Sequence, residues 1–272
     1  MLQQHMVSVS CHSAERQGKC KVSEVKLTQS IIEEQKESFI MFPKVLLNEN
    51  DYEGKDLDIF HLAIMKSLVN NLTNSAMMSI NDLMHVRGVN HKNKQASQAI
   101  RNSILRLQDI NYINIYEDSQ KTKKVVKVKP AQTYFIEPSY RNEEVFIKVF
   151  EYDIKKIITI QSNYKPKLFL IYLAIISHLY YHKNKTMEHK AVWATIETIA
   201  KITQLERKTV MKYIKQLHEN EVLFAITTRV KTDKNKNFYG RYKHKDLIIR
   251  EALEKTETLK NYESKAFMGT EE

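Results

Sequence analysis

The chain has 272 residues, about two domains at roughly 150 residues each, and 42% of them are hydrophobic, which excludes a disordered chain. Lys and Arg number 43 against 32 Asp and Glu, a net charge of +11 that points to a polyanion: nucleic acid first, an anionic membrane surface second. Five Gly and four Pro make glycine-rich phosphate loops and linker-rich architectures scarce, and two Cys exclude a disulfide framework and fit a reducing, cytoplasmic compartment.

In chain order, Met1 to Lys21 is polar and lacks the apolar centre of a secretory signal. Residues 1–37 read as a flexible or weakly helical arm. Order begins at Phe39-Ile-Met-Phe-Pro43, a short apolar segment ended by Pro. From Ile59 to Val69 apolar residues recur every three and four positions, the pattern of an amphipathic helix. Ser79-Ile-Asn-Asp82 is a capping-box variant with Asp in place of Glu or Gln. It starts a short helix, Ile80 to His85, that Gly88 can close in the left-handed conformation. After the turn Gly88–Lys92 a longer helix runs to about Asp109, with Ile100, Ile104 and Leu107 on its apolar face. Tyr112–Tyr116 alternates like a strand, 118–124 is a polar basic loop, and Val125–Val128 reads as the returning strand. The sum is a helix-turn-helix followed by a β-hairpin.

The same order then repeats. Val145–Val149 mirrors the Phe39 segment, and the helix Lys167 to Tyr181 mirrors 59–69. Within the latter, Leu168–Ile176 is the longest apolar run. It is well short of the ~18–20 residues a membrane span needs, so it reads as a buried core helix, and no membrane partner is expected. Thr195–Ala200 mirrors Ser79–Met84, residues 201–205 make the turn, and the helix Glu206 to Asn220 mirrors 91–109. Val222–Ile226 is the strand, and 229–245 is a basic loop with a returning strand. Leu62-Ala-Ile64 pairs with Leu173-Ala-Ile175, Ile104 and Leu107 with Ile214 and Leu217, and Ile113 with Leu223, at an offset near 110. Residues 247–259 carry a further helical stretch.

The position of the charge is more informative than its total. With Val210, Ile214 and Leu217 inward, a 100° step puts Lys208, Lys212 and Lys215 on the opposite face of the second long helix. Thr209 lies beside them and Arg207 in the first turn. Such a helix either lies in a DNA major groove or is an ordinary solvated surface helix. The loop that follows favours the groove. Arg229, Lys231, Lys234, Lys236, Arg241, Lys243 and Lys245 face one acid, Asp233, giving +6 over 229–245. A basic wing of this kind reaches phosphates or the minor groove. Phe238 and Tyr239 at its centre either touch sugar or bases or pack the hairpin onto the helices.

The first unit differs in chemistry. Its outward face carries Gln95, Gln98, Asn102 and Arg106, with Lys94 and Arg101 at the edge, residue types suited to hydrogen-bonding adenine and guanine edges. Leu105 also falls outward and suggests a protein contact, such as a homodimer through this unit. Its wing has Lys121, Lys123, Lys124, Lys127 and Lys129 with no acid across 120–129.

Catalytic motifs are missing: there is no G-x-x-x-x-G-K-S/T, H-E-x-x-H or G-x-S-x-G. Cys11, His12 and Cys20 lack the C-x2-C spacing of structural zinc sites. Tyr180-Tyr-His182 lacks the paired His of metal-dependent nicking enzymes. Asp56-Leu-Asp58 and Glu143-Glu144 read as solvated loop acids. No enzyme, metal or cofactor is expected.

The doubled unit, Phe39–Pro43 and Phe146–Val149 each leading into a module, and Thr195-Ile-Glu-Thr-Ile-Ala200 with Arg207-Lys-Thr-Val-Met-Lys-Tyr-Ile-Lys-Gln-Leu217 together resemble the tandem winged-helix initiators of plasmid and phage replication. The resemblance covers roughly 38–245. One departure is Glu206, where such helices more often begin with Ser, Thr or Asp. The resemblance implies binding to repeated origin sequences in double-stranded DNA and recruitment of host replication proteins, without catalysis. A winged-helix transcriptional regulator and a winged-helix protein adaptor are the alternatives. The expected fold is α+β and mostly helical: an arm at 1–37, winged helix-turn-helix domains at 38–140 and 141–245, and a tail at 246–272.

Overall fold

The computed structural model describes residues 37–48, 54–139, 146–179, 190–229 and 235–255. In the first half, β1 (Phe39–Pro43) and a short α1 (Lys44–Asn48) precede α2 (Lys55–Ser67), β2 (Ala76–Met78), α3 (Ile80–Arg87), α4 (Lys94–Asp109), β3 (Ile113–Tyr116) and β4 (Tyr134–Pro138). In the second half, β5 (Phe146–Phe150) and α5 (Glu151–Thr159) precede α6 (Lys165–Ile176), β6 (Val192–Trp193), α7 (Ile196–Thr203), α8 (Arg207–Glu219), β7 (Leu223–Arg229) and β8 (Asn235–Arg241). A 3-10 turn (Tyr242–His244) and α9 (Lys245–Lys255) follow. The chain is α+β, helix-rich with small sheets. Both halves use one element order, and their three-stranded antiparallel sheets have matching strand orders, β2-β4-β3 and β6-β8-β7.

Local chemistry sets the helix ends. The Ser79 hydroxyl accepts from the Asp82 amide at 3.2 Å, while the Asp82 carboxylate accepts from the Ser79 amide at 2.8 Å, so the capping box forms with Asp. Gly88 closes α3 at φ 72°, a backbone conformation glycine adopts without steric cost. Asn93 caps α4 through the Ala96 amide, and Thr195 caps α7 through the Thr198 amide. The turn between α7 and α8 is tighter than that between α3 and α4, and Gln204 takes the left-handed position in it, at φ 55°.

The halves are joined rather than strung. β1 pairs antiparallel with β5, Phe39 opposite Phe150 and Pro43 opposite Phe146. Because these are the equivalent strands of the two halves, the pairing is self-complementary, as at the isologous contact of a two-fold dimer. Beneath this ribbon α2 packs on α6. The Phe169 ring meets Phe42 edge-on at 6.4 Å and Phe60 at 5.9 Å, so first-half and second-half aromatics share one cluster. Helix α6 is buried nearly all round, as its uniform apolarity predicts. The buried Lys165 ammonium donates to the carbonyls of Val86 and Ile158, near the C-terminal ends of α3 and α5, where a cation is favoured. The described residues from Phe39 to Lys255 accordingly form one compact unit with a core continuous from Ile40 to Tyr239. A smaller cluster, including Phe238, Ile248 and Ala252, lies under α9.

Some expectations fail for identifiable reasons. Val125–Val128 is not a strand: Val125 and Val128 are buried anchors, Val126 between them is 90% exposed, and only Lys124 bridges to Tyr116. The returning strand is β4, where Tyr134, Ile136 and Pro138 are buried with the expected period of two. Asp56 and Asp58 are not loop acids but occupy the first turn of α2, with Asp58 wholly buried. Glu143-Glu144, Cys11, His12, Cys20 and Tyr180–His182 lie outside the described residues.

Candidate nucleic-acid interface

Helix α8 matches its predicted facing. Val210, Tyr213, Ile214 and Leu217 are buried, Lys208, Lys212 and Lys215 are exposed, and Thr209 is half-buried. Lys215 lies 3.9 Å from Glu219 on the same face, an exposed pair that leaves its charge largely available. At the helix start, Glu206 provides no side-chain cap. Arg207 reaches back to Glu197 of α7 at 2.7 Å, with both side chains more than half exposed. An ion pair of that kind is worth about 0–1 kcal/mol and opens readily to an anion. Around it Trp193, Thr195, Glu197, Arg207 and Asn237 line a cleft of ≈ 220 Å³, where β6, α7, α8 and β8 converge. Trp193 is 54% exposed, and the Lys236 ammonium stands 5.0 Å over its ring. Sequence reasoning missed Trp193. The available signal was an indole two residues before a Thr helix cap, on a strand too short to show a period.

Helix α4 buries Ile100, Ser103, Ile104 and Leu107 and exposes Lys94, Gln95, Gln98 and Asn102. Three polar side chains form a ladder along it: Arg101 donates to the Gln98 carbonyl at 3.0 Å, and the Gln98 amide donates to Asn102 at 2.7 Å. The ladder fixes the orientations of the Gln98 and Asn102 amides. Two expectations on this helix are corrected. Arg106 turns from the outward face to hold the buried Asp58 with both forks, at 2.9 and 2.8 Å. A wholly buried carboxylate requires a charge partner, and among the described residues Arg106 supplies it. Leu105 packs against the core instead of standing outward.

The basic segments that follow the two long helices divide in the same way. Lys123 and Lys124 are exposed, whereas Lys121 pairs with Glu137 of β4 at 2.5 Å. In the second half Lys236 lies over Trp193, Lys243 is exposed beside the Phe150 ring, Arg229 ends β7, and Lys231 and Lys234 lie outside the described residues. Arg241 is the third correction. It is 2% exposed, grips Asp153 bidentately, and its guanidinium lies 3.6 Å over the Phe150 ring. Tyr172 donates to the same carboxylate at 2.7 Å. Phe238 and Tyr239 pack the hairpin inward, both buried. Gly240 is required by close approach, since a Cβ there would collide with the Lys190 carbonyl and Ile248.

Burial also perturbs titration beneath this surface. His61 of α2 is buried against Ser103 of α4 at 2.8 Å; desolvation, aided by the charges of Arg87 and Arg106, lowers its pKa to about 3. It is a neutral structural histidine, remote from solvent. No described helix is long and apolar enough to cross a membrane. No protein-family model matches the chain, and no curated protein matches it.

Proposed function

We propose that the two halves are winged helix-turn-helix modules and that the chain binds double-stranded DNA in a sequence-specific way. The observation that carries this reading is the repeated arrangement itself. In each half a capped helix, a turn and a longer second helix precede a hairpin. The exposed face of that longer helix is cationic in one half and amide-rich in the other. A solvated helix face on a basic fold fits the width of the major groove. Lys208, Lys212 and Lys215 contact phosphates, and the Gln98–Asn102–Arg101 ladder reads base edges.

Within that class the chain acts as a replication initiator of a plasmid or phage, non-catalytic, binding repeated origin sites and engaging host replication proteins. What supports this step is the tandem pair of modules and the family resemblance of their motifs. The test is selection of binding sites from random duplexes, followed by footprinting on the chain's own replicon. Iterated sites at an origin uphold initiation, scattered promoter sites replace it with transcriptional control, and no duplex binding at physiological salt ends the DNA reading in favour of a protein adaptor.

A further inference from the structure

The loop between β3 and β4 differs from an ordinary basic loop in being fully built. Asp118 organises it: its carboxylate accepts from the Thr122 amide at 3.1 Å, the Thr122 hydroxyl at 3.1 Å and the Lys123 amide at 2.9 Å. The Asp118 carbonyl accepts from the Lys121 amide at 3.1 Å, which sets Lys121 in the left-handed region at φ 59°. Those amide and hydroxyl donors hold the Asp118 carboxyl below the usual carboxylate range. Farther on, the Glu117 amide donates to the Lys123 carbonyl and the Val125 amide to the Ile115 carbonyl. The Lys129 amide donates to the Tyr134 hydroxyl at 2.6 Å, and the Pro130 carbonyl accepts from Asn81 of α3. Val125 and Val128 are sunk in the core. What this scaffold leaves outside is Lys123, Lys124, Val126, Lys127 and Lys129, all exposed, with no carboxylate pairing these four lysines among the described residues.

We infer that Asp118, although acidic, is a positioning residue for DNA binding: its bonds fold 118–123, and together with the Val125, Val128 and Tyr134 anchors they make 118–130 a prefolded loop that offers Lys123, Lys124, Lys127 and Lys129 to the phosphates of a duplex backbone, with Val126 facing the sugars between them. The inference rests on the proposed DNA-binding function and adds to it a surface and an organiser. A flexible tetralysine segment would lose conformational entropy as its side chains and backbone ordered on the duplex, and a prefolded one has lost it already. The sign of the effect separates this idea from simple charge counting. Removing a negative charge from a DNA-binding face strengthens binding if charge alone matters. If Asp118 positions the lysines, its removal weakens binding.

The experiment compares the full chain with Asp118→Asn and with Lys123→Ala/Lys124→Ala/Lys127→Ala/Lys129→Ala, by fluorescence anisotropy on a labelled random-sequence duplex across a salt series, with thermal melts to verify folding. The expected result is about tenfold weaker binding for Asp118→Asn and a shallower salt slope for the quadruple variant, at unchanged melting temperature. Binding by Asp118→Asn that is equal to or tighter than that of the unaltered chain overturns the inference, as does a quadruple variant that binds like the unaltered chain. If the unaltered chain itself ignores duplex DNA, the proposed function fails and takes this inference with it.

Discussion

Arg241 and Asp153 allow a sharp separation of structural cations from those proposed to contact DNA. Arg241 is 2% exposed and bidentate to Asp153, which also accepts from Tyr172. Arg241→Leu removes the guanidinium and leaves the carboxylate buried with one neutral donor. Breaking a buried pair from one side costs about 3–5 kcal/mol, most of it the desolvation of the stranded charge. With a urea m-value of about 2–3 kcal/mol per molar for a unit of this size, the unfolding midpoint falls by about 1–2.5 M. Asp153→Leu lowers it similarly. The double Asp153→Leu/Arg241→Leu strands neither ion, and the pair behaves as one term, so its loss is well below the sum of the singles. Urea titrations followed by circular dichroism of the four proteins measure this cycle. If Arg241→Leu keeps the original unfolding free energy within about 0.5 kcal/mol while losing duplex affinity, Arg241 is a DNA contact and the structural reading of it is wrong.

Lys208→Ala/Lys212→Ala/Lys215→Ala removes three exposed charges and leaves stability within about 0.5 kcal/mol; the log–log salt dependence of duplex binding becomes shallower by up to about 2.7, read by anisotropy at several salt concentrations. Gln98→Ala/Asn102→Ala alters which duplexes are preferred, by about 1–3 kcal/mol per lost bidentate contact, in competition against permuted sites. His61 has a folded pKa near 3, below its ordinary 6.5, so it stabilises the fold fully above pH 6.5 and ever less as pH falls towards 3; His61→Phe/Ser103→Ala flattens that acid limb in urea midpoints measured between pH 7 and pH 4. Trp193 is the chain's one tryptophan, and duplex binding at the cleft shifts or quenches its emission, a change that Arg207→Ala diminishes.

The helices that carry the candidate surface were legible because their signals are local. Apolar spacing on α4 and α8 fixes the buried faces, and Ser79, Gly88 and Thr195 mark ends through contacts within a few residues. The short strands were not legible: β2 has three residues and β6 two, too few for a period to emerge, and both exist because β4 and β8 supply partners. The pairing of β1 with β5 was invisible for the same reason, although each segment stood out by itself. The least legible feature was the fate of the arginines. Helical geometry placed Arg106 outward, but a carboxylate 48 residues earlier drew it in, and Arg241 answers to one 88 residues away.

That fate follows a rule that sharpens the proposed interface. Of the arginines assigned to DNA whose side chains are described, Arg106 and Arg241 hold buried carboxylates, Arg207 holds Glu197 and Arg101 holds Gln98. Lys94, Lys123, Lys124, Lys208 and Lys212 pair with no carboxylate among the described residues. The planar fork of arginine is the better match to a fixed carboxylate, and it desolvates more cheaply than an ammonium. A fold that buries Asp58 and Asp153 therefore takes up Arg106 and Arg241 and leaves these five lysines on the surface. Lysine meets phosphate as a point charge, with little directional demand on the base sequence. On the proposed function, base discrimination falls to the amides of α4 and to Arg101 and Arg207, whose partners are exposed. Affinity that falls steeply with salt, together with a preference that Gln98 and Asn102 dominate, is the behaviour this division of cations requires.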